Sequence, residues 1–104
     1  MHYGSVPDAD EFFSSRFNAW AGTPEQKAKA LEHATQLIDQ FNYIGQKPAG
    51  QELEFPRGPG GVPEQIERAT YLAASSLLGG SELIPPQAFN LLRPFLREAE
   101  LFRT

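Results

Sequence analysis

The chain has no cysteine. That excludes a disulfide scaffold, a Cys-ligated metal and thiol catalysis. Histidine is scarce: His2 stands at the terminus and His33 in a helical stretch. Neither has a second His three or four residues away, so helical metal-ligand spacing is missing. No apolar run approaches the roughly 20 residues that cross a bilayer. Met1-His2-Tyr3-Gly4 shows no basic region leading into an apolar stretch. From these absences we expect a soluble protein, made and used in the cytoplasm, with no membrane partner. A basic cluster is lacking too. The formal net charge is -4, and the densest basic group is Lys27 with Lys29. Direct grip on nucleic acid is disfavoured.

Catalytic patterns are also missing. Ser14, Ser15, Ser75 and Ser76 have no Gly-x-Ser-x-Gly setting. Gly58-x-Gly60-Gly61 precedes a helix, but no strand runs into it and no Lys-Ser/Thr pair follows. Glu64 and Glu67 at that helix start would repel an anion. Asp8, Asp10 and Glu11 are explained as first-turn helix charges rather than metal ligands. Phe12, Phe13, Phe17 and Trp20 have only Arg16 as a nearby cation, so they read as core rather than as a base-stacking platform. We expect no enzyme and no cofactor.

What is present is enough for one domain. A chain of 104 residues buries ~65% of the surface that it exposes when unfolded. Apolar residues make up 40% of it, and Pro and Gly number nine each. That composition fits a domain that completes its stability by assembly, and equally a small domain with long surface loops.

The patterning predicts an all-α fold: a small bundle of three main helices, a long ordered loop and short C-terminal helices. The first helix is expected from Val6 to about Asn18. Ser5 and Asp8 have the spacing of a helix start, and Ala9, Phe12, Phe13, Arg16 and Phe17 follow helical spacing. The second begins at Thr23-Pro24 with Gln26 completing a capping box. Its stripe is Leu31, Ala34, Leu37 or Ile38, and Phe41, with Lys29, Glu32, Gln36 and Asp39-Gln40 on the solvent face. It should fray near Asn42 to Ile44 and stop at Gly45. The third starts at Pro63, buries Ile66, Ala69, Leu72 or Ala73, Ser76 and Leu77, and ends at Gly79-Gly80. Its small residues suit a central helix.

Between them, Gly45 to Gly61 is longer than most helix–helix connections. Within it Leu53 and Phe55 alternate with Glu52 and Glu54 as an extended segment would, enough for one short strand. Pro56 fixes a bend, and Arg57 follows, aimed away from the Phe55 anchor. Such a loop, ordered by its own side chains, is a place for function. Arg57 reads either as a solvated loop charge or as half of an inter-subunit ion pair. After a helical core at 1–80, the segment 81–104 carries Leu91, Leu92, Phe95, Leu96, Leu101 and Phe102. That is unusually apolar for a chain end. Either it folds back on the helices or it is an arm for a partner.

The motif order is Ala9-Asp10-Glu11-Phe12-Phe13, then Trp20, then Ala34-Thr35-x-x-Ile38-Asp39 and Gly45-Gln46-Lys47. Next come Gln51-x-Leu53-x-Phe55-Pro56-Arg57 and Val62-Pro63-x-x-Ile66-x-x-Ala69. Over Tyr3 to Leu78 this resembles the head-to-tail adaptor (connector) proteins of tailed bacteriophages. Related sequences are labelled DnaT-like single-stranded-DNA-binding. Phe55 departs from the pattern, which often has Trp there.

The resemblance implies a structural virion protein at the neck, made in the host bacterial cytoplasm. It would form a ring with copies of itself, usually twelvefold, between the portal protein and a tail or head-closure protein. DNA would pass through the channel without specific binding. The implied inter-subunit and portal contacts are Leu53, Phe55 and Arg57 in the loop, with Leu91, Leu92, Phe95, Leu96, Leu101 and Phe102 in the arm. Deleting 81–104 would then leave the three helices folded and abolish attachment. The alternative implied by the second label is a single-stranded-DNA-binding replication protein. A third reading is an interaction domain unrelated to phage.

Overall fold

The computed structural model describes residues 1–16, 20–58 and 60–101. Five α-helices follow in order: α1 (Val6–Phe13), α2 (Pro24–Ile38), α3 (Glu64–Leu78), α4 (Pro86–Leu92) and α5 (Glu98–Leu101), with a 3-10 turn at Arg93–Phe95 between the last two. Among the described residues there is no strand, only an isolated antiparallel bridge between Tyr43 and Leu96. The fold is all-α, as the patterning requires.

The helix starts form as their sequences dictate. The Ser5 Oγ accepts the Asp8 N–H at 3.2 Å, capping α1. At α2 the box closes in both directions: Thr23 Oγ1 accepts the Gln26 N–H, and Gln26 Oε1 accepts the Thr23 N–H. Each satisfies an amide that a helix start leaves without an intrahelical partner.

The helix ends differ from expectation. α1 stops at Phe13, not near Asn18. Both the Ser14 N–H and its hydroxyl turn back onto the Glu11 carbonyl, at 3.1 and 2.6 Å. A serine that engages the backbone in this way competes with helix continuation. Phe17 and Asn18 lie outside the described residues. α2 stops at Ile38, before Phe41. There the Tyr43 hydroxyl donates to the Ile38 carbonyl at 2.6 Å, and the Phe41 N–H closes a tighter turn on the same group. Tertiary contact, not local propensity, sets this end.

α3 is central, packing on α2 on one side and on α4 on another. Ile66, Ala69, Thr70, Tyr71, Leu72, Ala73, Ala74 and Ser75 are all buried along it. Burial almost all round marks a core helix rather than a one-sided amphipath, so Thr70, Tyr71, Ala74 and Ser75 join the expected stripe while Ser76 and Leu77 are only half-buried. Ala, Ser and Thr keep its sides thin enough for close approach.

Gly79-Gly80 ends α3 but does not end the core. Ala88, Leu92 and Leu96 are fully buried in the same cluster as Leu31, Ile38 and Ile66. The segment after Gly80 therefore takes the fold-back alternative. The bridge at Leu96, an Arg97 N–H to the Asn42 carbonyl (3.0 Å) and an Ile44 N–H to the Phe95 carbonyl (2.7 Å) fasten it. Glu100, also buried, accepts from both the backbone and side-chain N–H of Asn42.

A braced loop as the candidate functional site

The Leu53–Arg57 loop is ordered, but by side-chain bracing and not as a strand. Phe55 is its anchor, 4% exposed. Its ring meets Tyr43 edge-on at 4.8 Å, and Tyr3 and Phe95 at 6.2 and 6.0 Å. Edge-to-face contacts place ring hydrogens against π-faces, which suits four aromatics in one pocket. The Phe55–Pro56 peptide is cis.

The polar bracing starts on α2. Thr35 and Asp39 lie four residues apart, hence on one helix face. Thr35 Oγ1 accepts the Tyr3 N–H at 3.1 Å. The Tyr3 hydroxyl donates to Asp39 Oδ1 at 2.6 Å and accepts the Phe55 N–H at 3.1 Å. Asp39 Oδ2 takes the Glu54 N–H at 3.3 Å. From within the loop, Gln51 Nε2 donates to the Leu53 and Pro56 carbonyls. Burial pushes the Asp39 carboxyl up, against the hydrogen bonds from Tyr3 and Glu54. Burial, then the Asp39 carboxylate, pushes the Tyr3 hydroxyl well up, so it stays a donor.

Arg57 is not a solvated loop charge. Its guanidinium lies within the chain, only partly exposed. Nη2 donates to Glu54 Oε1 at 2.6 Å, Nε to the Glu54 carbonyl, and Nη1 to the Gly45 carbonyl at 2.9 Å. It also lies 5.8 Å from the Tyr43 ring centre and 5.7 Å from that of Phe55. Lys47 adds an ion pair to Glu54 at 3.4 Å. Glu54 therefore does not point freely to solvent, as simple alternation implies; it is the acceptor that closes the loop.

Of the residues expected at inter-subunit or portal contacts, the structure gathers Arg57 and Phe95 around Phe55. Leu53 is half-buried against the core. Leu92 and Leu96 are 0% and 1% exposed, committed to this chain's own interior. In the fold as it stands they cannot also be an exposed contact. Leu91 and Phe95 are half-buried. Phe102 lies outside the described residues, as does the side chain of Leu101. Sequence reasoning missed Tyr3, Thr35, Asp39 and Tyr43 as braces. The one available signal was the four-residue spacing of Thr35 and Asp39, within a motif in which Asp39 is expected on the solvent face.

A second feature lies between α1 and α3. A cleft of about 460 Å³ is lined by Asp8, Glu11, Phe12, Ser15, Arg16, Glu64, Glu67, Arg68 and Tyr71. Arg16 stacks 4.1 Å over the Phe12 ring, and Arg68 pairs with Glu64 at 2.7 Å. Burial, then the neighbouring Asp8 and Glu64 carboxylates, pushes Glu67 up. On the far side of α1, Asp10 receives Lys27 Nζ at 2.9 Å and Trp20 Nε1 at 2.7 Å. These contacts, Lys27 first, hold its carboxyl below the usual range. Among the described residues no three His, Cys, Asp or Glu are placed to hold a metal, and no helix is long and apolar enough to cross a membrane.

Fold and site define a small all-α protein whose most elaborate feature is a loop tied down by the chain's own side chains. The chain belongs to the protein family described as "Putative DnaT-like ssDNA binding protein", whose model matches residues 2–90. The match extends past Leu78 into α4. No curated protein and no solved structure matches the chain.

Proposed function

We propose that this protein acts without catalysis, by assembling with other polypeptides. Its role would be that of a head-to-tail adaptor: a ring of copies between portal and tail at the capsid vertex of a tailed phage. The observation that carries the assembly reading is the burial of the loop aromatics together with the engagement of Lys27, Lys47, Arg57 and Arg68. Sequence-independent binding of single strands uses exposed aromatic faces along a positively charged groove. Here Phe55 and Tyr43 are buried, Trp20 stacks on Phe13 at 4.9 Å, and Lys27, Lys47, Arg57 and Arg68 each hold a carboxylate of this chain. The net charge of -4 would let duplex slide through a channel rather than stick. The phage context itself rests on the motif order set out above.

The second reading is single-stranded-DNA binding in replication, and one specific observation favours it: the description of the family to which the chain belongs. On the comparisons this reading stands ahead; on the surface chemistry the first does. A titration of labelled oligonucleotide against salt separates them. The assembly reading expects no saturable binding at physiological ionic strength. Tight binding that weakens steeply as salt rises would establish the second reading instead. The phage context is tested by imaging virions for this chain at the neck.

A further inference from the structure

The braced loop holds up a corner of the molecule. Ile44 stands there 60% exposed. Next to it the Gly45 carbonyl accepts from Arg57 Nη1 at 2.9 Å and from Arg97 Nη2 at 3.0 Å. Two guanidiniums thus converge on one carbonyl. Arg57 is neutralised by Glu54, but Arg97 has no carboxylate partner among the described residues. The result is an exposed aliphatic side chain beside an unpaired cation. Both are held on backbone that Arg57 and the Ile44–Phe95 hydrogen bond keep in place.

The α1–α3 cleft has the opposite character. Its floor is aromatic, from Phe12 and Tyr71. Asp8, Glu11 and Glu67 have no cationic partner among the described residues, whereas Glu64 has Arg68. The cleft already seats one guanidinium on its floor, that of Arg16 over Phe12. The lining carries four carboxylates, Asp8, Glu11, Glu64 and Glu67, against two guanidiniums, Arg16 and Arg68, so it keeps an excess of negative charge for a further cation.

Resting on the assembly reading above, we infer that the Ile44–Arg97 corner of one copy docks into the α1–α3 cleft of the next. Arg97 meets the carboxylates of Asp8, Glu11 and Glu67, and Ile44 packs beside the Arg16–Phe12 pair that already covers the aromatic floor. Corner and cleft share no residue, so each copy offers both at once. Such a contact is heterologous and propagates into a ring or an open chain.

Sedimentation velocity on the full-length protein tests this, with Arg97→Glu and Glu11→Arg as variants at exposed positions. Wild type should self-associate, more weakly as salt rises. Each single variant should lose roughly tenfold or more in association. Mixed one to one, the two variants should stop at a heterodimer, because only one corner and one cleft remain intact. The double variant in one chain should regain association. Circular dichroism spectra matching wild type would show that the variants fold.

A wild type that stays monomeric at its highest soluble concentration overturns this inference. So does association of both single variants at wild-type strength, which leaves assembly standing but through other surfaces. Loss of oligonucleotide binding in Arg97→Glu with self-association unchanged would assign the corner to nucleic acid and overturn it as well.

Discussion

Tyr3 concentrates more of the fold in one atom than any other residue of the loop site. Its hydroxyl donates to Asp39 and accepts from Phe55, joining the start of the chain, α2 and the loop. Tyr3→Phe keeps the ring and its edge contact with Phe55 but leaves the buried Phe55 N–H without its acceptor. An orphaned buried donor costs about 1–3 kcal/mol, so urea unfolding should show a loss of that size. Tyr43→Phe is the milder comparison, since the Ile38 carbonyl that it releases lies at a helix end.

Glu67 supplies a pH signature. Its folded pKa is raised, by burial first and by Asp8 and Glu64 next. The native state therefore holds that proton more tightly than the unfolded chain. The favourable contribution is fully present below the ordinary value of 4.5 and is lost as pH rises through the folded value. Glu67→Gln should accordingly raise the melting temperature at neutral pH and have almost no effect below pH 4.5. A gain of the same size at both pH values would place its origin outside this carboxylate.

At the level of single elements, helix starts and the Gly79-Gly80 stop of α3 were legible, and the ends of α1 and α2 were not. Start signals are local: Ser5 with Asp8, and Thr23 with Gln26, act within one turn. Thr23→Ala removes the acceptor for the Gln26 N–H, and about 1 kcal/mol of stability should go with it. Thermal unfolding followed by circular dichroism would measure the loss. Replacing Thr23 by Ser should restore most of it. The end of α2 depends on contacts made beyond the helix. α2 gives way at Ile38 because Tyr43 and the loop claim its last turn, and no periodicity in residues 24–45 contains that fact. The loop illustrates the same limit. Leu53/Phe55 alternation correctly marks an anchored segment, but its anchors are Tyr3 and Tyr43, and its latch is Glu54 with Arg57. A strand needs a partner strand, and here side chains took that place. The central position of α3 was readable, since Ala and Ser at its middle permit close packing whatever the partner.

For the molecule as a whole, the open question in the sequence was the apolar end. Pattern alone cannot tell a segment that completes a core from one that waits for a partner, because both demand the same residues. Burial decides it for the described side chains up to Glu100. Ala88, Leu92 and Leu96 are within 1% of complete burial in the core they share with α2 and α3. Losing a buried Leu typically costs about 2–5 kcal/mol, and a domain of this kind holds only about 5–15 kcal/mol in total. Removing 81–104 deletes two such leucines at once, along with the Arg97 and Glu100 ties to Asn42. The expectation that three helices would stand alone is therefore replaced by its opposite. A chain of residues 1–80 should lose the cooperative thermal transition, whereas Leu96→Ala in the full chain should keep it at a lower midpoint. A truncated chain that melts cooperatively near the full-length temperature would show that α1 to α3 close the core by themselves. The apolar end would then regain its standing as a free arm for a partner.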